Sequence, residues 1–188
     1  MKNPTLEFII ESFFHIKEIG TIFPCSGATG RKMAKHIDPY KSGTIVELGS
    51  GTGPVSEQIV NRMNGRHKFF GFEKNRNFYE ILRERFNGDG RVKIINDLAE
   101  NMTRYVGRNV QCVISVLPLA NMKASEKKFL LETIRYSLAS GGRFVQFQYL
   151  PVDRNLVNKY FDIDYIEMSW MNLPPGVIYT GVKRELQK

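Results

Sequence analysis

Short apolar runs alternate with amphipathic segments along most of this 188-residue chain. Runs at 44–48, 68–72, 92–95, 110–116 and 143–148 are rich in Ile, Val, Phe and Leu, as strands buried on both faces require. Between them, apolar residues at helical spacing predict helices over about 55–63, 77–86 and 125–138, with a short one near 99–105. Ser140-Gly141-Gly142 reads as the glycine C-cap of the last helix. Strands alternating with helices predict a mainly parallel sheet covered on both faces. After Tyr149 the pattern changes. Two further runs, 161–168 and 177–183, read as strands joined through Asn172-Leu173-Pro174-Pro175-Gly176, a closing β-hairpin.

Residues 1–42 precede this pattern as a helical extension. Leu6, Ile9, Ile10, Phe13 and Phe14 form a stripe at helical spacing within 6–16. A second helix is expected over 29–36, entered through Pro24-Cys25-Ser26-Gly27. The stripe suits either contact with a membrane or a lid over the domain formed by 43–188.

Composition narrows the class. Hydrophobic residues at 42% and charged residues at 24% fit a globular domain able to bury a core. No apolar run reaches the roughly 20 residues needed to span a bilayer, and no signal peptide is visible. Cys25 and Cys112 are far apart without metal-ligand spacing, which suggests a reduced cytoplasmic protein with no metal. The net charge of +8 is concentrated between Arg62 and Lys93, where nine Lys/Arg face four acids. That patch is either a solvated surface or a contact for an anionic partner.

The candidate chemistry begins at Val46-Glu47-Leu48-Gly49-Ser50-Gly51-Thr52-Gly53. Glycines 49, 51 and 53 open a helix after a strand, so backbone amides can approach a ligand that a Cβ would exclude. That spacing alone is shared with dinucleotide-binding proteins. Glu47 before it would repel a pyrophosphate. Glu73 ends the second strand, where a carboxylate can accept two ribose hydroxyls, and Asp97 follows the third. No P-loop Lys-Ser/Thr is present, which argues against an ATPase.

An acid at each of three successive strand ends, around this loop, resembles class I S-adenosylmethionine (SAM)-dependent methyltransferases. The resemblance implies an α/β, three-layer Rossmann-like fold with a seven-stranded, mostly parallel sheet. It implies SAM as cofactor, with Glu47 at its amino-acid end, Glu73 on the ribose and Asp97 on the adenine amino group. Gly49, Ser50, Gly51, Gly53, Lys74, Leu98 and Ser115 would complete the cofactor site.

Three further segments narrow the likeness. Ser115-Val116-Leu117-Pro118-Leu119-Ala120-Asn121-Met122, Gly142-Arg143-Phe144-Val145-Gln146-Phe147-Gln148-Tyr149 and Asn172-Leu173-Pro174-Pro175-Gly176-Val177-Ile178-Tyr179 resemble bacterial phospholipid and ornithine-lipid N-methyltransferases. Ile19-Gly20-Thr21-Ile22-Phe23-Pro24-Cys25-Ser26 is similar to the segment preceding their catalytic domain. Gln148, Leu150 and Lys123 depart from that family's usual Thr, Gly and Pro. The resemblance implies methylation of a lipid amine such as phosphatidylethanolamine, with Leu117, Tyr149, Asn172 and Tyr179 at the reacting centre. Aromatic faces, including Phe147, would stabilise the cationic product. No residue stands out as a dedicated base, and His15, His36 and His67 read as structural or surface groups.

Two other readings stay open. An RNA adenine dimethylase shares the fold and would use the basic patch, but presents Asn-Leu-Pro-Tyr/Phe at the end of strand four, where this chain has Val116 and Leu119. A methyltransferase fold serving only as a binding module is the third. The expected partners are an anionic membrane surface and an amine-headgroup lipid, with nucleic acid second and no obligate protein partner. The expected location is the cytoplasm, reversibly at the inner face of the membrane.

Overall fold

A computed structural model describes residues 25–172 and 174–184. The stripe in 6–16, His15 and residue 173 lie outside the described residues. Chain order is α1 (Gly27–Ala34), β1 (Gly43–Leu48), α2 (Pro54–Arg62), β2 (His67–Phe72), α3 (Arg76–Arg85) and β3 (Val92–Ile95). Then come α4 (Thr103–Val106), β4 (Val110–Ser115), α5 (Ala124–Ser137), β5 (Leu138–Gln148), α6 (Arg154–Val157), β6 (Phe161–Ser169) and β7 (Gly176–Lys183). Short 3-10 turns occupy Ala99–Asn101, Leu119–Asn121 and Pro151–Asp153.

The strands form one sheet in the order β3-β2-β1-β4-β5-β7-β6. The first five are parallel, and β7 is antiparallel to both β5 and β6. The order reverses between β1 and β4, so the crevice beyond the carboxyl ends of these two strands is where such sheets take ligands.

Alternation along each strand divides the core into two layers. Ile45, Phe69, Cys112, Ile114, Val145, Phe147 and Ile178 pack with Met33 and Ala34 of α1 and Val55 and Ile59 of α2. Val46, Leu48, Phe72, Val113 and Phe144 pack with Leu130, Leu131 and Ile134 of α5 and Val157 of α6. Helix α1, part of the expected extension, is thus seated on the sheet.

Several expectations shift. Helix α1 starts two residues earlier than expected, because the Ser26 hydroxyl accepts from the Thr29 N–H and caps it there. Gly141 and Gly142 are not a helix cap. Helix α5 ends at Ser137 and the chain turns straight into β5 through Leu138, whose backbone is extended. The glycines belong to a bulge. Pairing moves from Val110↔Leu138 to Cys112↔Arg143, and Gly142 passes so near β4 that a Cβ would stand 2.9 Å from the Val110 carbonyl oxygen. The helical turns at 151–157, unanticipated in the sequence, carry the chain back across the sheet to begin β6.

Candidate functional site

The carboxyl ends of β1, β2, β3 and β4 bring together the residues expected to hold the cofactor. Glu47 alternates with Val46 and Leu48, so it faces α2 and is fully buried. Its Oε2 accepts from the Ser56 hydroxyl in the first turn of α2. Its Oε1 and the buried Ser50 hydroxyl have no hydrogen-bond partner among the described residues. Burial pushes the Glu47 carboxyl up to about 7, with the Ser56 hydroxyl opposing the rise and the negative Glu73 adding to it. An unpaired buried acceptor beside an unpaired hydroxyl fits the ammonium of an amino-acid moiety.

Gly49, Gly51 and Gly53 all have positive φ, at 80°, 54° and 96°. A Cβ on Gly49 would come within 2.8 Å of Leu117 Cδ2, so the glycine lets the β1 and β4 loops meet. The Gly51 N–H donates to Glu73 Oε2 at 2.7 Å, and the Asn75 N–H to Glu73 Oε1 at 2.8 Å. Glu73 therefore joins the glycine loop to the β2 end, and each oxygen keeps a lone pair for a ribose hydroxyl. Lys74 is exposed and contributes its carbonyl, which accepts from the Asn96 side chain.

Asp97 is more engaged than expected. Its Oδ1 accepts from the Leu98 N–H and the Asn101 amide, both at 2.7 Å, and its Oδ2 from the Tyr105 hydroxyl at 2.8 Å. These donors hold its carboxyl below the usual range, Asn101 and Tyr105 most strongly. Asp97 organises the loop presenting Leu98, an exposed apolar side chain suited to a ring face; only Oδ2 retains capacity towards an amino group.

Beyond β4, the buried Ser115 hydroxyl accepts weakly from the Leu117 N–H at 3.4 Å. The Leu117 carbonyl accepts from two side-chain amides, Gln146 at 3.0 Å and Gln148 at 3.1 Å. Gln146 stands beside Tyr179 in the β5–β7 register, so these two share a sheet face. Tyr149 lies on the other face, edge-on to Phe147 at 5.0 Å and packed with the α1 layer. Tyr149 and Tyr179, both expected at the reacting centre, thus stand on opposite faces of the sheet. Phe147 is core, its ring against Gly176.

Asn172 has a structural occupation. Its Oδ1 accepts from the Ser26 N–H at 2.7 Å and the Thr29 hydroxyl at 3.0 Å, while its Nδ2 donates to the Tyr149 hydroxyl at 3.3 Å. Asn172 is therefore a positioning residue between the start of α1, the hairpin and Tyr149. Burial raises the Tyr149 phenol and pushes Tyr179 and Cys25 up to about 12 each. These groups stay protonated near neutral pH and offer no base. His36 Nε2 lies 3.1 Å from the Thr180 hydroxyl and His67 Nδ1 accepts from the Asn64 N–H, both away from the glycine loop. Ser56 went unnoticed in the sequence, and Gln146, Ser26 and Thr29 were noted only within segments, without their bonding roles. Ser56 and Ser26 have local signals, as a hydroxyl in the first turn after the loop and as a hydroxyl capping α1, whereas the bonds of Gln146 and Thr29 to distant residues have none.

A parallel sheet with this switch point, a glycine loop ringed by Glu47 and Glu73, and a C-terminal hairpin define the Rossmann-like methyltransferase fold. The chain is a class I SAM-dependent methyltransferase, and SAM is its cofactor. Residues 20–112 match the family model of ribosomal RNA adenine dimethylase. The chain is 26% identical to an ornithine lipid N-methyltransferase of Singulisphaera acidiphila, over 94% of this chain and 95% of that protein. It is 23% identical to ribosomal RNA small subunit methyltransferase A of Persephonella marina, over 92% and 69%. Its fold is similar to that of a SAM-dependent O-methyltransferase from Thermotoga maritima, with TM-score 0.66, 16% identity, and coverage of 96% and 73%.

Proposed function

We propose that this methyltransferase acts on the amine head group of a membrane lipid, of the phosphatidylethanolamine or ornithine-lipid kind. The observation that carries this reading is the loop after β4. A flipped adenine needs hydrogen-bond acceptors for its amino group and a stacking ring. Here Val116 and Leu119 supply neither, and the Leu117 carbonyl is already taken by Gln146 and Gln148. The family-model match to ribosomal RNA adenine dimethylase ends at residue 112, before this loop, and the ribosomal RNA methyltransferase of Persephonella marina, though matched over 92% of this chain, is itself covered to only 69%. The match to the ornithine lipid enzyme runs through it and spans nearly the whole of both chains.

The bound cofactor supplies an electrophilic methyl group on a sulfonium. The chain's own work is orientation and electrostatics. Glu47 and Ser50 hold the amino-acid end, Glu73 and the Gly51 amide fix the ribose side, and Leu117 closes over Gly49. Holding an amine in line with the methyl provides much of the acceleration. The neutral phenol of Tyr149, fixed by Asn172, offers a face to the cationic product, worth about 0.5–2 kcal/mol. With no base among these groups, the amine arrives already deprotonated.

The test uses methyl-labelled SAM with mixed phosphatidylethanolamine and ornithine-lipid vesicles, and separately with unmodified ribosomal RNA. The expected product is a labelled lipid identified by mass. Strong labelling of the RNA with none in any lipid would replace this reading with adenine methylation. Binding of SAM without transfer to either would favour a non-catalytic module.

A further inference from the structure

The edge of the sheet that holds the cofactor residues is also where three loops emerge: 116–123 after β4, 149–156 after β5, and 170–175 between β6 and β7. The large side chains on this rim are unusually uncovered. Trp170 is 71% exposed, Met171 74% and Val152 63%. Trp170 and Met171 form the hairpin tip, immediately before Asn172 and its bond to Tyr149.

The exposed charge on the three loops is cationic, with Glu126, which accepts from the Lys123 N–H, standing in the first turn of α5. Lys123 and Arg154 are exposed on the same rim. Asp153, the single carboxylate in the three loops, is buried and paired with Lys127 at 2.8 Å. Much of the larger basic patch is elsewhere, although Lys74 and Arg76 follow the carboxyl end of β2. Arg62 and Arg66 bond carbonyls of Ile37 and Tyr40, and Lys68, Arg91 and Lys93 lie in or before the first half of their strands, towards the opposite edge.

We propose that this rim docks on an anionic lipid bilayer, with Trp170 and Met171 entering the headgroup region and Lys123 and Arg154 meeting the lipid phosphates. The proposal rests on the lipid-amine reading above and adds where the membrane meets the protein. An indole with an apolar body and one N–H donor suits the interface between water and hydrocarbon. Flanking cations add attraction to an anionic leaflet. Docking here brings the mouth of the site to the plane in which the lipid amine lies.

Trp170 is the chain's single tryptophan, so its fluorescence reports this position alone. The full-length protein is titrated with phosphatidylglycerol–phosphatidylethanolamine vesicles, with phosphatidylcholine vesicles, and with RNA. Anionic vesicles should shift the emission to the blue, shield it from acrylamide and allow quenching by brominated lipid. In co-sedimentation, Trp170→Ser plus Met171→Ser should weaken vesicle binding by about tenfold. The same variant should keep its thermal midpoint and its methylation of detergent-dispersed lipid. The docking proposal falls if the protein sediments with vesicles while Trp170 emission stays unchanged, or if it does not sediment. It also falls if the emission is already blue and shielded without vesicles, since this chain or a second copy then covers the tip, or if only RNA changes it. Methylation of lipid with an unmoved Trp170 would sink the docking and leave the function standing; a shifted Trp170 with label only in RNA would do the reverse.

Discussion

Glu47 shows how one side chain can make cofactor binding depend on pH. Its carboxyl is raised to about 7 by burial, against about 4.3 in an unfolded chain. The folded protein thus holds this proton more tightly, so the stability it contributes is present below about pH 4.3 and is lost as pH rises through about 7. His36, lowered to about 4 chiefly by burial, acts in the opposite sense: its contribution is present above about pH 6.5 and is lost as pH falls through about 4. Comparison with Glu47→Gln separates them. The thermal midpoint of the wild type should fall relative to that variant between about pH 5 and 8. Saturating SAM should shrink the fall, because its ammonium compensates the buried charge. A pH-independent difference would show that Glu47 is not raised.

Two other side chains give sharp tests at this scale. Glu73→Ala should weaken SAM binding by roughly 1.5–3 kcal/mol, the range for bonds to a charged group. Because Glu73 also holds the Gly51 and Asn75 amides, Glu73→Gln should lose affinity with less loss of stability. If calorimetry finds SAM affinity unchanged in both, the ribose assignment is wrong. Tyr179→Phe removes a buried hydroxyl with no partner among the described residues. Urea denaturation should show equal or slightly higher stability, by up to about 1 kcal/mol. A loss of more than that would reveal a partner for the hydroxyl.

At the scale of elements, the strands were legible in the sequence and the polar pins were not. Every strand was anticipated within a few residues, except that β5 begins at Leu138, because periodicity follows local burial and strand ends follow it closely. The glycine loop and its acids were legible for the same reason: they are contiguous or sit at strand ends. That Tyr149 and Tyr179 lie on opposite faces was not legible, since facing depends on pairing between strands that sequence spacing does not encode. Asn172 was read as part of the reacting centre, yet its amide joins Ser26, Thr29 and Tyr149. Asn172→Ala should therefore lower stability by about 1–3 kcal/mol and cut turnover more than SAM affinity. Unchanged stability in a urea titration would show that α1 is held by its apolar face alone.

For the whole molecule, the charge of +8 is less available than it looks. Arg76 and Arg83 pair with Glu80, Arg85 with Glu57, and Arg91 with Asp89. Such surface pairs contribute little to stability, but they neutralise local field and leave Lys68, Lys74 and Lys93 without ion-pair partners among the described residues. Among those residues no helix is long and apolar enough to cross a membrane. Association with a bilayer should then weaken steeply as salt rises from about 50 to 300 mM, the regime in which exposed charges are screened. Sedimentation that ignores salt would assign the contact to apolar insertion alone.

The bonds from Ser26 and Thr29 to Asn172 also set an order of assembly. They join positions 146 and 143 residues apart, across a sheet whose central strands pair through shorter connections. Closing so long a loop is entropically unfavourable until the hairpin of β6 and β7 already stands. The first turn of α1 should consequently reach Asn172 last and leave it first, so the Ser26 amide should exchange hydrogen sooner than those of β1 and β4. Tyr149 takes its final position only with that step. Partly folded chains with a complete parallel sheet would then hold the cofactor loop without a finished acceptor site, and so would consume little SAM before folding is complete.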